Sequence, residues 1–432
     1  MVDNVVRLPR PRAARPPADE LGLFIRVGRN DHKELLHMLA AGEKSVFGFV
    51  VDAQYAVRHR DLIADARTRG FDVILDPKTQ PLALPGGHTP ALAGLPWGGD
   101  KPHTPADFDG EAGRQKARAI VDFALQHQFT QVLGPTHVLT GPNDPWLRRD
   151  LAMMKLITDA VRERRADLGV IYSLAIPIGV LRRQAEREAV AHALADAPME
   201  ELWLKVENFG DDASGEKTAA FIEAAREFHQ LGVPVVADHA GGLPAMAALA
   251  FGAVGGIAHG VTFNQGFSAS RWRLPPKEEE DDGKPKGMAT WRVYLPSLDM
   301  LMKRADAEAF LSLSPRVRAK HACKDTRCCP QGQGDMLSRA ARHALFQRAR
   351  EIEALSKTPQ GTRAARYVDE RVRKVSDDVA AAASLSGLGP QTQKALASKQ
   401  AWMSRFRQVI GHLVSEPHST SVAITPRRRS AR

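Results

Sequence analysis

Three cysteines and one histidine are the densest set of metal-ligating residue types in the sequence. They are Cys323, Cys328, Cys329 and His343, spaced Cys-x₄-Cys-Cys-x₁₃-His. Thiolate and imidazole are the ligands that close a tetrahedral zinc site, so the spacing predicts a structural zinc. His321 is a substitute ligand, and a vicinal disulfide or a buried thiol cluster is the alternative. No even-numbered disulfide framework can be built from three cysteines that lie this close together.

A second group of polar residues follows apolar runs. FVVD, VILD and VVAD place Asp52, Asp76 and Asp238 where a buried strand would leave the core. A carboxylate there must be paired, hydrogen-bonded or open to solvent, because burying it alone is costly. The alternative is that each caps the following loop. Lys205 and His137 occupy matching positions, and with the three carboxylates they form the candidate catalytic set. Candidate substrate-binding residues at other strand ends are Arg26, Gln54, Asn208, His239 and His259, with Lys78, Ser173 and Thr262 nearby. Three kinds of chemistry suit these types. Two carboxylates can divide acid from base. Lys205 can form a Schiff base or neutralise an anion. His137, His239 and Asp238 can bind a divalent ion, although no His-x-His follows the first strand. The pairs Gly241–Gly242 and Gly255–Gly256 offer backbone N–H groups to a phosphate or a base, or else serve tight loop geometry.

Eight short apolar runs must position these residues. They are near-continuously apolar, as strands buried on both faces are, and chain long enough for a helix separates each from the next. Residues 21–265 therefore predict an α/β fold, a (β/α)₈ TIM barrel with its site at the C-terminal ends of the strands. A doubly wound sheet is the rival, but FIRVGRND after the first strand is not G-x-G-x-x-G. Residues 1–20, rich in Pro and Arg, read as a disordered basic lead-in. Residues 266–296 read as a mobile charged loop, and 297–356 as a helical segment carrying the Cys₃His cluster. Residues 357–416 read as a helical C-terminal region and 417–432 as a basic tail.

The composition, 43% hydrophobic and 25% charged over 432 residues, is that of a globular protein. No run approaches the ~20 apolar residues of a membrane span. The chain reads as cytoplasmic, with no membrane partner. A net charge of +10, part of it in basic ends, suits contact with nucleic acid.

The order Cys323, Cys328, Cys329, His343 after a barrel, with Gly241-Gly242-Leu243, resembles the tRNA-guanine transglycosylase family. Those enzymes are barrels with a Cys₃His zinc subdomain. The resemblance implies a transferase that exchanges a base in tRNA, DNA or a nucleobase-like ligand. It does not extend to the family's catalytic motifs. The C-x-C-x₂-C spacing and the Asp-Ser-Gly-Gly-Phe motif are absent, and GGIAHGVTF carries no aspartate. Two other readings stand beside it: a barrel lyase or hydrolase of a small anionic metabolite, and a non-catalytic nucleic-acid-binding barrel.

Overall fold

The computed structural model describes residues 20–42, 46–275, 292–416 and 421–427. The expected lead-in 1–20, apart from its last residue, most of the charged segment after Pro275 and most of the basic tail lie outside the described residues.

Eight parallel strands close into a barrel: β1 (Gly22–Arg26), β2 (Val46–Asp52), β3 (Asp72–Asp76), β4 (Gln131–Leu133), β5 (Gly169–Pro177), β6 (Glu201–Glu207), β7 (Val235–Asp238) and β8 (Gly256–Gly260). Each pairs with the next, and β8 closes on β1 through Leu23↔Ile257 and Arg26↔Gly260. The TIM-barrel expectation is met.

Side chains alternate across a strand, so every second residue points inward. Phe24, Val50, Ile74, Leu133, Ile171, Trp203, Val236 and Ala258 fill the interior in one buried cluster. Two residues further along, the same inward face carries Arg26, Asp52, Asp76, Ser173, Lys205 and Asp238. The apolar layer, with Phe24 and Trp203 rings 4.9 Å apart, floors the polar one above it.

After the barrel, β9 (Arg292–Leu295) and β10 (Met300–Lys303) form an antiparallel hairpin, followed by helices up to Ser415. Helix Ala340–Ser356 packs on β9 and on helix His32–Ala40, and helix Pro390–Ser415 packs on helix Gly215–Glu227. Asp299 ties this region to the barrel. It accepts from the Leu243 N–H (3.2 Å) and the Tyr294 hydroxyl (3.0 Å), and pairs with Lys399 (3.4 Å) and Arg348 (3.6 Å). Residues 421–427 then cross the opposite, N-terminal end of the barrel. The Ala423 N–H donates to the Gly252 carbonyl (2.9 Å), and Ser421 meets His229 (2.8 Å). A Cβ on Gly22 would lie 2.8 Å from Pro426, and one on Gly255 2.3 Å from the Ile424 oxygen, so both positions need glycine for close approach. No helix among the described residues is long and apolar enough to cross a membrane.

Candidate functional site: a charged barrel mouth and a Cys₃His cluster

Arg26 organises the mouth. Its Nε and Nη2 donate to the two oxygens of Asp238 (2.5 and 2.6 Å), and its Nη1 donates to Asp76 (2.8 Å) and lies 3.9 Å from Asp52. Lys78, just past β3, reaches Asp52 (3.4 Å) and Asp76 (4.0 Å). Burial alone would favour the neutral Asp76 carboxyl, but Lys78, Arg26 and Lys205 together hold it well below the usual carboxylate range. Burial works equally against the guanidinium, yet Asp238 and Asp76 keep Arg26 protonated.

Lys205 lies on the other side of the mouth and is 1% exposed. Its amine donates to Gln80 Oε1 (2.6 Å), whose amide nitrogen faces Thr136 (3.2 Å) and Ser173 (3.3 Å). The amine stands 4.7 Å from the centre of the Phe267 ring and 5.5 Å from that of Trp272. Burial, then the positive charges of Lys78 and Arg26, push Lys205 down to about 7. The mouth thus holds a buried primary amine with access to its neutral form near neutral pH.

His239 completes the group. Its backbone is left-handed (φ 53°), its N–H donates to Asp238 (2.9 Å), and its buried Nε2 has no partner among the described residues. Burial and the cations Arg26, Lys205 and Lys78 keep the imidazole neutral. Gln54 Oε1, just beyond β2, is likewise unpartnered there.

The structure brings together Asp52, Asp76, Asp238, Lys205, Arg26 and His239, but not every residue proposed from sequence. His137 is turned away. β4 ends at Leu133, so the chain has left the barrel before His137. The imidazole pairs with Asp150 (2.7 Å) and stacks on Trp146 (3.5 Å) on helix Pro145–Glu163. His259 falls on the outer face because its neighbour Ala258 points inward. It donates to its neighbour's carbonyl oxygen at Gly260 (2.7 Å, taking Nδ1 as protonated), and burial and Arg348 push it down to about 4. Gly241 and Gly242 serve loop geometry. The Gly241 N–H donates to the Gln265 carbonyl (3.0 Å), and a Cβ on Gly242 (φ 61°) would press on Asp211 at 2.9 Å. Asn208 is an exposed left-handed turn residue (φ 64°) whose N–H donates to the Phe267 carbonyl (3.0 Å).

The expected mobile loop is also corrected in part. Residues 266–275 are ordered against the barrel: Glu207 accepts from the Ala269 N–H (3.0 Å) and from both terminal nitrogens of Arg273 (2.7 Å each). That clamp, with a Gly86 N–H bond to the Trp272 carbonyl (2.7 Å), holds Phe267 and Trp272 beside Lys205. Gln80, Glu207, Phe267 and Trp272 were missed from sequence. Only the tryptophan in SRWR, an aromatic inside a charged stretch, carried a signal.

The second centre is the cysteine cluster. The candidate ligand atoms of Cys323, Cys328, Cys329 and His343 all lie within 4.8 Å of one another. Sulfur separations are 3.3 Å (Cys323–Cys328) and 3.5 Å (Cys328–Cys329), and His343 Nδ1 is 3.5 Å from Cys329 and 3.8 Å from Cys328. With Zn–S near 2.3 Å and Zn–N near 2.0–2.1 Å, a regular tetrahedron has S···S edges of about 3.8 Å and S···N edges of about 3.6 Å. The set is therefore close to the size such an ion needs. His343 Nε2 meets the Tyr294 carbonyl (2.9 Å), which selects the tautomer with a free Nδ1 lone pair, and the Gln347 amide faces Cys323 (3.5 Å) and Cys328 (3.4 Å). Without a cation the thiols cannot all ionise. Hydrogen bonds from Cys328 and Cys329 pull Cys323 down, while the bonds that Cys329 makes with Cys323 and Cys328 push Cys329 up.

No known family pattern matches the sequence, and no curated protein matches it. Solved structures give partial likenesses. A chitinase from Chromobacterium violaceum ATCC 12472 is 13% identical over 50% of this chain and 68% of that chain (TM-score 0.33). The HpcH/HpaI aldolase from Desulfitobacterium hafniense DCB-2 is 12% identical over 56% and 87% (TM-score 0.33). The 2,3-dimethylmalate lyase, a PEP mutase/isocitrate lyase superfamily member, is 14% identical over 56% and 76% (TM-score 0.32). Likenesses at this level assign no chemistry to the mouth.

Proposed function

We propose that the chain is a barrel lyase that works on a small carbonyl compound through Lys205. The observation that carries this reading is a fully buried amine, pushed down to about 7, beside two aromatic rings. A neutral amine adds to an aldehyde or ketone carbon; uptake of one proton and loss of water then leave a protonated imine, which draws electrons from the adjacent carbon. Asp76 and Asp238 offset part of the repulsion that Lys78 and Arg26 exert on that cation. Among the described residues Asp52, Asp76 and Asp238 pair with Arg26 and Lys78, three carboxylates against two cations, which limits the cost of a cationic imine at Lys205. Asp76 and Asp238 are occupied by Arg26, which leaves Asp52, whose side chain is 24% exposed, as the base for a substrate proton. Gln80 orients the amine.

The test is reductive trapping. Incubation with pyruvate or glyceraldehyde and cyanoborohydride should add the mass of one substrate less its carbonyl oxygen, which leaves as water, mapped to Lys205 and absent in Lys205→Met. Labelling spread over exposed lysines, with Lys205 unmodified, would sink the reading.

A second reading is favoured by the other centre. With a structural zinc in the Cys₃His cluster, a base-exchange reaction of the transglycosylase type would use Asp52, the carboxylate that Arg26 leaves free, to stabilise an oxocarbenium-like sugar. Residues 297–432 hold 25 Lys and Arg against 12 Asp and Glu, a surplus of 13 that suits tRNA or DNA. Incorporation of labelled guanine into either polymer, lost in Asp52→Asn, would select this reading.

A further inference from the structure

Between the cysteine cluster and helix Arg373–Ala383 lies a cavity of about 480 Å³. Its charged wall is Lys320, Lys324, Arg371 and Lys374 against Asp325 and Asp378. Most of these charges are accounted for. Lys320 pairs with Asp378 (2.7 Å), Arg371 is bound to Glu351 and to the Pro296 carbonyl (2.8 Å), and Asp325 lies 3.6 Å from both Arg327 and Arg350. Lys324 and Lys374 are different. They enter from a loop and from a helix, both are exposed at the rim of the cavity, and neither has an acceptor among the described residues. Cys323, a member of the Cys₃His set, is part of the same wall and directly precedes Lys324.

We infer that this cavity binds a phosphoryl group, held between Lys324 and Lys374. A volume of this size belongs to ligand pockets rather than to packing defects, which are only a few water molecules large. Two ammonium groups without partners are donors suited to phosphate oxygens. The source favoured by the rest of the molecule is the backbone of a single-stranded nucleic acid. The surplus of 13 positive charges lies in residues 297–432, while residues 1–296, with 35 Lys and Arg against 38 Asp and Glu, are slightly acidic. The site lies outside the barrel mouth and stands whether the mouth makes an imine or exchanges a base.

The experiment uses the full chain as purified. Binding of a fluorescent single-stranded 12-mer is measured by anisotropy across a salt series, and binding of inorganic phosphate by calorimetry. Wild type is compared with Lys324→Gln/Lys374→Gln and with a control pair on another helix, Lys394→Gln/Arg405→Gln. Two lost phosphate contacts should flatten the slope of log K against log salt by about 1.4, which is about 25-fold in affinity at 0.1 M salt. The control pair should lose much less. Loss of inorganic phosphate binding in the cavity variant, with the 12-mer unchanged, would keep the phosphoryl site and assign it to a small phosphorylated ligand. The inference is overturned if neither ligand distinguishes the cavity variant from wild type, or if the control pair loses as much.

Discussion

Replacing Lys205 with methionine should make the protein more stable while removing its proposed chemistry. The side chains are similar in length, and methionine leaves no charge to desolvate. The amine falls from 10.5 to about 7 on folding. At about 1.4 kcal/mol per pH unit, that shift costs the wild type up to about 5 kcal/mol at neutral pH. Methionine leaves Gln80 Oε1 without its donor, which returns about 1–3 kcal/mol of that gain. The expected net stabilisation at pH 7 is about 2–4 kcal/mol. The sign of the pH dependence follows from the lowered folded pKa. Below about pH 7 the amine is charged in both states and its cost is whole. From there to about pH 10.4 the folded amine is neutral and the unfolded one charged, so wild-type stability rises by about 1.4 kcal/mol per unit relative to the variant. Urea unfolding of both proteins at pH 6, 7, 8 and 9 reads the difference, and other titrating groups cancel between them. A variant less stable than wild type at pH 7, or a difference that stays flat from pH 7 to 9, would refute the buried neutral amine.

The remaining predictions concern the ion pairs and the cysteines. Asp238→Ala leaves Arg26 buried with one of its three hydrogen bonds and should cost about 3–5 kcal/mol in denaturant unfolding; a loss under about 1 kcal/mol would mean that solvent replaces the carboxylate. The Asp76 carboxyl is held down in the folded state. Its contribution is therefore whole above about pH 4 and lost as pH falls below that, and Asp76→Asn should flatten the acid side of the stability profile. Purified protein should carry about one zinc per chain, absent in Cys328→Ser/Cys329→Ser, and a strong chelator should lower the melting temperature of wild type alone. Metal-free protein that melts like the loaded form would leave the cluster as buried thiols.

The polar layer of the mouth was legible because strand parity is simple arithmetic. Val50, Ile74 and Val236 point into the barrel, so Asp52, Asp76 and Asp238, two residues on, do so as well. The same arithmetic explains the failures. His259 is one residue, not two, past an inward position, and His137 comes after β4 has ended. Sequence periodicity cannot say where a strand stops to within a residue, and one residue exchanges inside for outside. Gln80 and Trp272 were hidden for another reason. They reach Lys205 from loops, where position depends on tertiary bonds such as Glu207–Arg273 and carries no period. The cysteine set was legible from residue types alone, although only the fold shows His343 turned by the Tyr294 carbonyl to face the sulfurs.

The crossing of residues 421–427 beneath the barrel has a consequence for how the protein is made. β1 leaves the ribosome before every other strand of the barrel, yet Gly22 at its start is covered by Pro426. The eight strands are all synthesised by residue 260, long before the segment that covers their lower end. A nascent barrel must therefore wait, uncovered at Gly22 and Gly255, while the residues between β8 and the covering segment are made. An excised piece covering residues 21–265 would keep every strand and every residue of the polar layer, yet carry that bare end permanently. Its solubility should improve when a separate peptide with the sequence of residues 421–427 is supplied, as a missing part restored in trans.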